Sequence, residues 1–139
     1  MADGRLIYPM LAMVLLTFST LVRLFLARRK SVVERLVSPA YFKVYQGGAE
    51  PEASAQLARH FTNLFEAPVL FYAACLSAMA IHATGTPFLA LAWAYVLLRL
   101  AHTIVHTGNN VLNSRILAYF SSWLVLLAMW TLLAIAASA

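Results

Sequence analysis

The chain has 139 residues, 63% of them hydrophobic and 11% charged, with a mean hydropathy of +0.78. A soluble domain of this length cannot cover that much apolar side chain, so the composition is that of a membrane protein. The net charge of +5 is scattered around apolar runs instead of forming a basic tract; this argues against a nucleic-acid partner and for membrane lipids. Cys75 is the only cysteine, which excludes an intrachain disulfide; mid-run, it reads as a small buried hydrophobe.

The first apolar run covers about residues 6–26. Roughly 20 residues at 1.5 Å each cross the hydrocarbon core. Pro9 sits in its first turns, where a missing N–H costs little. No A-x-A-like cleavage site follows directly, so a retained helix is expected and not a signal peptide. Arg23, near its far end, either snorkels to the headgroups or faces the bundle interior.

Residues 27–58 form a polar loop opened by Arg28-Arg29-Lys30, a membrane stop signal. Over 27–59, six basic side chains against three acidic ones leave +3. Gly47-Gly48 marks a turn, and Glu50-Pro51-Glu52 a helix start running into the Arg59 stretch. The second span covers about 63–82, kinked near Glu66 because Pro68 cannot donate to the Leu64 carbonyl. A short turn, 83–87, makes the second and third spans antiparallel neighbours. The third span covers about 88–106 and the fourth about 115–137, giving one transmembrane domain over 1–139. The expected fold is all-α, an integral membrane four-helix bundle. Positive-inside logic puts the 27–58 loop in the cytoplasm and both termini outside.

This topology gathers Arg23, Arg59, Asn63, Glu66, His102, His106 and Arg115 at one membrane face. Arg59, Asn63 and Glu66 share a helix face by spacings of four, three and seven. Arg99, His102 and His106 do so on the third span, and Tyr95, four before Arg99, joins them. An ionisable group costs roughly 2.5–3.5 kcal/mol at mid-membrane, so such groups face the interior and pair. Glu66 is the natural partner of Arg99 or Arg59. One reading is structural: Glu66 neutralises an arginine and the histidines satisfy one another. The other is an anion pocket open to the cytoplasm, in which arginines hold a carboxylate and Glu66 an amine. His102 and His106 are an i, i+4 pair suited to a metal, but Arg99 one turn away disfavours a cation and no H-E-x-x-H pattern is present. No metal is expected. Asp3 is the only aspartate, which sets aside a Ser/His/Asp triad.

The ordered polar islands resemble the MAPEG superfamily, membrane-associated proteins of eicosanoid and glutathione metabolism, in a bacterial-type member. Arg59, Asn63 and Glu66, followed by Pro68, match its Arg-x-x-x-Asn-x-x-Glu motif. Arg99 and His102, then Arg115 thirteen residues on and Tyr119 four further, are similar to the prostaglandin E synthase branch. The resemblance implies a homotrimer with glutathione as cosubstrate, bound between subunits on the cytoplasmic side. It implies that Arg59, Asn63 and Glu66 hold the peptide's carboxylates and amine. Arg99, His102, His106 and Tyr119 complete the binding set, and Arg115 is catalytic, stabilising the thiolate. Arg28 or Arg29 matches a further glutathione contact at the end of the first helix. A lipophilic small molecule would arrive from the bilayer. Three departures alter expected contacts: Phe61 stands where glutamine or histidine is common, His106 where tyrosine is, and Ile116 where serine is.

The expected function is therefore a glutathione-dependent membrane transferase or peroxidase acting on lipophilic electrophiles or hydroperoxides, in a bacterial inner membrane. The alternative is a non-catalytic trimer that binds lipid, another small anionic ligand or a membrane partner. A small transporter fits less well, since no inverted repeat is present and the polar groups lie at one face.

Overall fold

The computed structural model describes residues 4–138. Asp3 lies outside the described residues. A 3-10 turn, Gly4–Leu6, leads into α1, Ile7–Val33. A single turn, α2, Tyr41–Val44, interrupts the following loop. Then come α3, Glu52–Asn63, and α4, Ala67–Ala80. The last two are α5, Thr86–Thr107, and α6, Leu112–Ala137. Among the described residues there is no strand. Four stretches are long and apolar enough to cross a membrane, 4–33, 52–80, 86–107 and 112–137. The fold is the expected all-α membrane bundle.

The first helix is longer than its apolar run. It continues through Arg28-Arg29-Lys30 to Val33, because arginine and lysine are good helix formers and nothing breaks the pattern. It stops in a Schellman turn. Arg35 takes the left-handed conformation, φ 57°, and the Leu36 N–H donates to the Ser31 carbonyl at 2.9 Å. The basic run expected in a loop is thus displayed on a helix. The fourth helix also starts one turn early, at Leu112, and places Arg115 in its first turn.

The second span is two helices and not one kinked helix. Helix α3 starts after Pro51, as the Glu50-Pro51-Glu52 pattern predicts, and ends at Asn63. Residues 64–66 form a joint, with Glu66 at φ −92° and ψ −97°. Pro68 sits in the first turn of α4, where it needs no donor. The single-face arithmetic therefore holds for Arg59 and Asn63 but not for Glu66, which lies past the helix end.

The core is apolar and tightly drawn. Phe71 stacks on Tyr95 with ring centroids 4.6 Å apart and 8° between planes. Met13, Leu126 and Met129 surround them, and Ala67, Ala74, Ala78 and Ala92 are fully buried. Small side chains at these positions let helix backbones approach closely. Cys75 is buried in the same cluster. The outward faces carry large apolar side chains such as Phe18, Phe25, Leu97, Leu117 and Leu124, as a lipid-facing surface requires.

Candidate functional site

At the end of the bundle where α5 stops and α6 begins, a cavity of about 560 Å³ lies against the last turns of α3. That volume is in the range of small-molecule sites, roughly 300–1,000 Å³. Helix α3 supplies Arg59, Thr62 and Asn63, and the joint supplies Glu66. Helix α5 supplies His102 and His106. Helix α6 supplies Arg115 and Tyr119, with Ile116 and Phe120 as an apolar edge. Seven of the residues picked from sequence spacing therefore share one cavity wall, although Glu66 reaches it from the joint.

Most of the side chains lining the cavity are polar, and its charged groups form no ion pair with one another. Arg59 and Glu66 are exposed. Neither Glu66–Arg99 nor Glu66–Arg59 forms; the ion pairs among the described residues are Arg28–Glu50 and Lys30–Glu34. Arg115 donates from Nη1 to the Asn110 side-chain oxygen at 2.8 Å. Two guanidinium groups and one carboxylate thus line the cavity with no salt bridge between them among the described residues. Among the described residues no group of His, Cys, Asp or Glu is disposed to hold a metal ion.

Arg99 does not line this cavity. It is 0% exposed, behind the wall. Its Nη2 donates to the Asn63 carbonyl at 3.0 Å, and its guanidinium lies 5.8 Å from the Tyr119 ring centroid. Asn63 is the last residue of α3, whose final carbonyls have no partner in their own helix. A cation there satisfies a carbonyl and complements the helix dipole. Arg99 therefore ties three helices together at the joint. Replacing it by Met keeps the volume and removes a buried charge without a carboxylate partner, a change that is often neutral or stabilising. Arg99→Met is expected to leave the thermal midpoint within a few degrees of wild type. Amide exchange over residues 63–66 should then speed up about tenfold, or ~1.4 kcal/mol of local stability. Unchanged exchange over that segment would mean that the guanidinium does not hold the joint.

The family model that matches the chain is that of the MAPEG family, over residues 6–135. The chain belongs to the MAPEG family. No curated protein and no solved structure matches it. Four apolar helices and this membership make it an integral membrane protein.

Within this MAPEG chain, other residues picked from sequence lie elsewhere. Arg28 is held by Glu50, through Nε at 2.8 Å and Nη2 at 3.3 Å, and lies over the Phe42 and Tyr45 rings at 5.1 and 5.7 Å. With Arg29 it borders a separate shallow groove beside Phe25 and Phe42. Arg23 donates to the Thr107 hydroxyl at 3.0 Å, so it joins α1 to the end of α5. Tyr95 is buried on Phe71 and away from the cavity. Phe61 points into an apolar groove with Phe18, Phe65 and Tyr72. Its substitution therefore does not touch the polar cavity of its own chain.

His60 and Gln56 complete the wall from behind, and spacing alone did not single them out. His60 is fully buried, with Nε2 2.9 Å from the Thr103 hydroxyl oxygen. Thr103 gives its single hydroxyl hydrogen to the Arg99 carbonyl, at 2.8 Å. His60 must therefore be the donor to Thr103, which sets its tautomer. Its ring packs 5.4 Å from that of His102 and 5.0 Å from that of His106. Gln56 donates to the His106 carbonyl. The signal for both was available: positions 56, 60 and 63 recur at helical spacing on the buried side of α3.

Proposed function

We propose that this MAPEG protein is a glutathione-dependent transferase or peroxidase for lipophilic electrophiles or hydroperoxides. One observation carries the reading: a cavity of small-peptide size presents two guanidinium groups and one carboxylate, none of them paired with another. Glutathione offers a carboxylate for Arg59, an ammonium for Glu66 and a thiolate for Arg115. The donor set thus fits it without rearranging any ion pair.

Arg59, with the Asn63 amide beside it, is the carboxylate-binding group. Glu66 is the ammonium-binding group. His102, His106 and Tyr119 shape the floor, and Arg115 faces the thiol. Bound glutathione supplies the nucleophilic sulfur. A free thiol has a pKa of about 8.5, and an adjacent guanidinium lowers it by favouring the thiolate. The apolar edge of Ile116 and Phe120 adjoins the lipid-facing side of α6, the direction from which a lipophilic second substrate arrives. We also propose a homotrimer in a bacterial inner membrane, with the basic end of α1 and the 34–51 loop in the cytoplasm. The concentration of Arg28, Arg29, Lys30, Arg35 and Lys43 at that end supports this orientation.

The test is isothermal titration of the detergent-solubilised protein with glutathione. Binding at micromolar to millimolar concentration, competed by the S-alkylated peptide, is the expected result. No heat at millimolar glutathione would overturn the reading and favour a non-catalytic MAPEG trimer.

A further inference from the structure

The turn between α5 and α6 holds one side chain whose contact has no evident use in folding alone. Asn110 adopts the left-handed conformation, φ 52°. Its N–H closes the end of α5 by donating to the Val105 carbonyl at 2.9 Å. Two residues earlier, a Cβ on Gly108 would sit 2.7 Å from the Ile104 carbonyl oxygen, so the chain can take this path only with glycine there. After the turn, the Arg115 N–H donates to the Val111 carbonyl at 3.0 Å as α6 begins. The backbone is thus set on both sides of Asn110. Its side-chain oxygen, 2.8 Å from Arg115 Nη1, spans the turn. A guanidinium can only donate, so the amide must present oxygen and its flip is settled.

We propose that Asn110 is a positioning residue for Arg115. It anchors one edge of the guanidinium before any ligand arrives and so aims the remaining N–H donors into the cavity. Asn110 does not itself line that cavity. The inference rests on Arg115 being the group that faces the thiol. An arginine on a flexible stem loses rotamer freedom when it binds an anion, and a prior anchor removes part of that cost. The anchor is neutral, so it orients the cation without weakening its charge, as a carboxylate there would.

The left-handed backbone allows a clean substitution. Asn110→Gly keeps a residue at ease with positive φ and removes the amide oxygen. Asn110→Asp keeps an oxygen and adds a charge. The first measurement needs no ligand: the nitrogen spectrum of ¹⁵N-arginine-labelled protein in detergent, with Arg115 assigned from Arg115→Lys. Wild type and Asn110→Asp should show resolved Nη signals, because the anchored guanidinium turns slowly, and Asn110→Gly should merge them. The second is the ultraviolet thiolate absorbance of the glutathione complex against pH. Asn110→Gly should raise the apparent thiol pKa by about one unit, a tenfold loss of thiolate below it. Asn110→Asp should raise it too, through its charge, despite resolved Nη signals. If Asn110→Gly leaves the Arg115 signals resolved, or the thiol pKa where it was, the positioning role is overturned. If wild type forms no thiolate complex at all, it is the glutathione reading that fails, and the arginine spectrum still decides whether Asn110 anchors Arg115.

Discussion

Arg115→Ala should lower the rate of conjugation of glutathione to a lipophilic aryl halide by about 10²–10³-fold, with glutathione affinity changed much less. Loss of one preorganised group that stabilises developing or full negative charge costs about that much, roughly 3–4 kcal/mol. The substitution lies in the first turn of α6 at a half-buried position, with its side-chain contact to Asn110 as the one hydrogen bond lost. The fold and the assembly should therefore survive, and gel filtration with light scattering checks that. Steady-state kinetics at saturating glutathione isolate the chemical step. The thiolate absorbance of the complex should vanish at neutral pH in the variant. Undiminished turnover would remove Arg115 from the mechanism.

Glu66→Gln is expected to cost 10–100-fold in glutathione affinity, about 1.5–3 kcal/mol for a charge-assisted contact to an ammonium. The sharper form of the prediction uses a modified ligand. N-acetylglutathione keeps both carboxylates and the thiol but has no ammonium. Wild type should bind it poorly, because the Glu66 carboxylate is left facing an amide, whereas Glu66→Gln should bind it as well as or better than wild type does. Titration of both ligands into both proteins gives a double-mutant cycle. A coupling near zero would show that Glu66 does not meet the amine. Since Glu66 is exposed and makes no ion pair among the described residues, stability should not confuse the result.

Much of the molecule was legible in its sequence, and the parts that were not have physical causes. Span number and order follow from apolar runs of about the bilayer's thickness. Arg59 with Asn63, and His102 with His106, come together because helical periodicity is enforced wherever the helix persists. Glu66 reached the same cavity by a different route, since Pro68 ends the periodicity that seemed to place it. Arg99 shows what spacing omits. Periodicity gives a direction around an axis but not a depth, so it could not tell a residue lining the cavity from one buried behind it. Its partner, a backbone carbonyl of Asn63, leaves no trace in side-chain identity. Phe61 shows a related limit: the motif position two before the asparagine implies a ligand contact but does not say that, within its own chain, this side chain lines an apolar groove. Asn110 went unremarked because a turn rich in Gly, Asn and Ser reads as punctuation, although one of its amides reaches five residues ahead.

The interruption at 64–66 has a consequence for how such a protein diversifies. Arg59 and Asn63 inherit their directions from a rigid helix, so moving either requires shifting α3 against α1 and α5. Glu66 is aimed by the torsions of the three-residue joint, whose N–H groups donate to the Phe61, Thr62 and Asn63 carbonyls at 3.1, 2.9 and 3.5 Å and beside which Arg99 holds the end of α3. One anchoring charge of the cavity is therefore fixed while the other is adjustable. Leu64 is buried in the same core as Phe71 and Tyr95, whereas Phe65 is exposed, so substitutions at Phe65 alter the span between the two charges without disturbing that core. Ligand length is thereby separated from bundle packing, and a lineage can change the one while conserving the other.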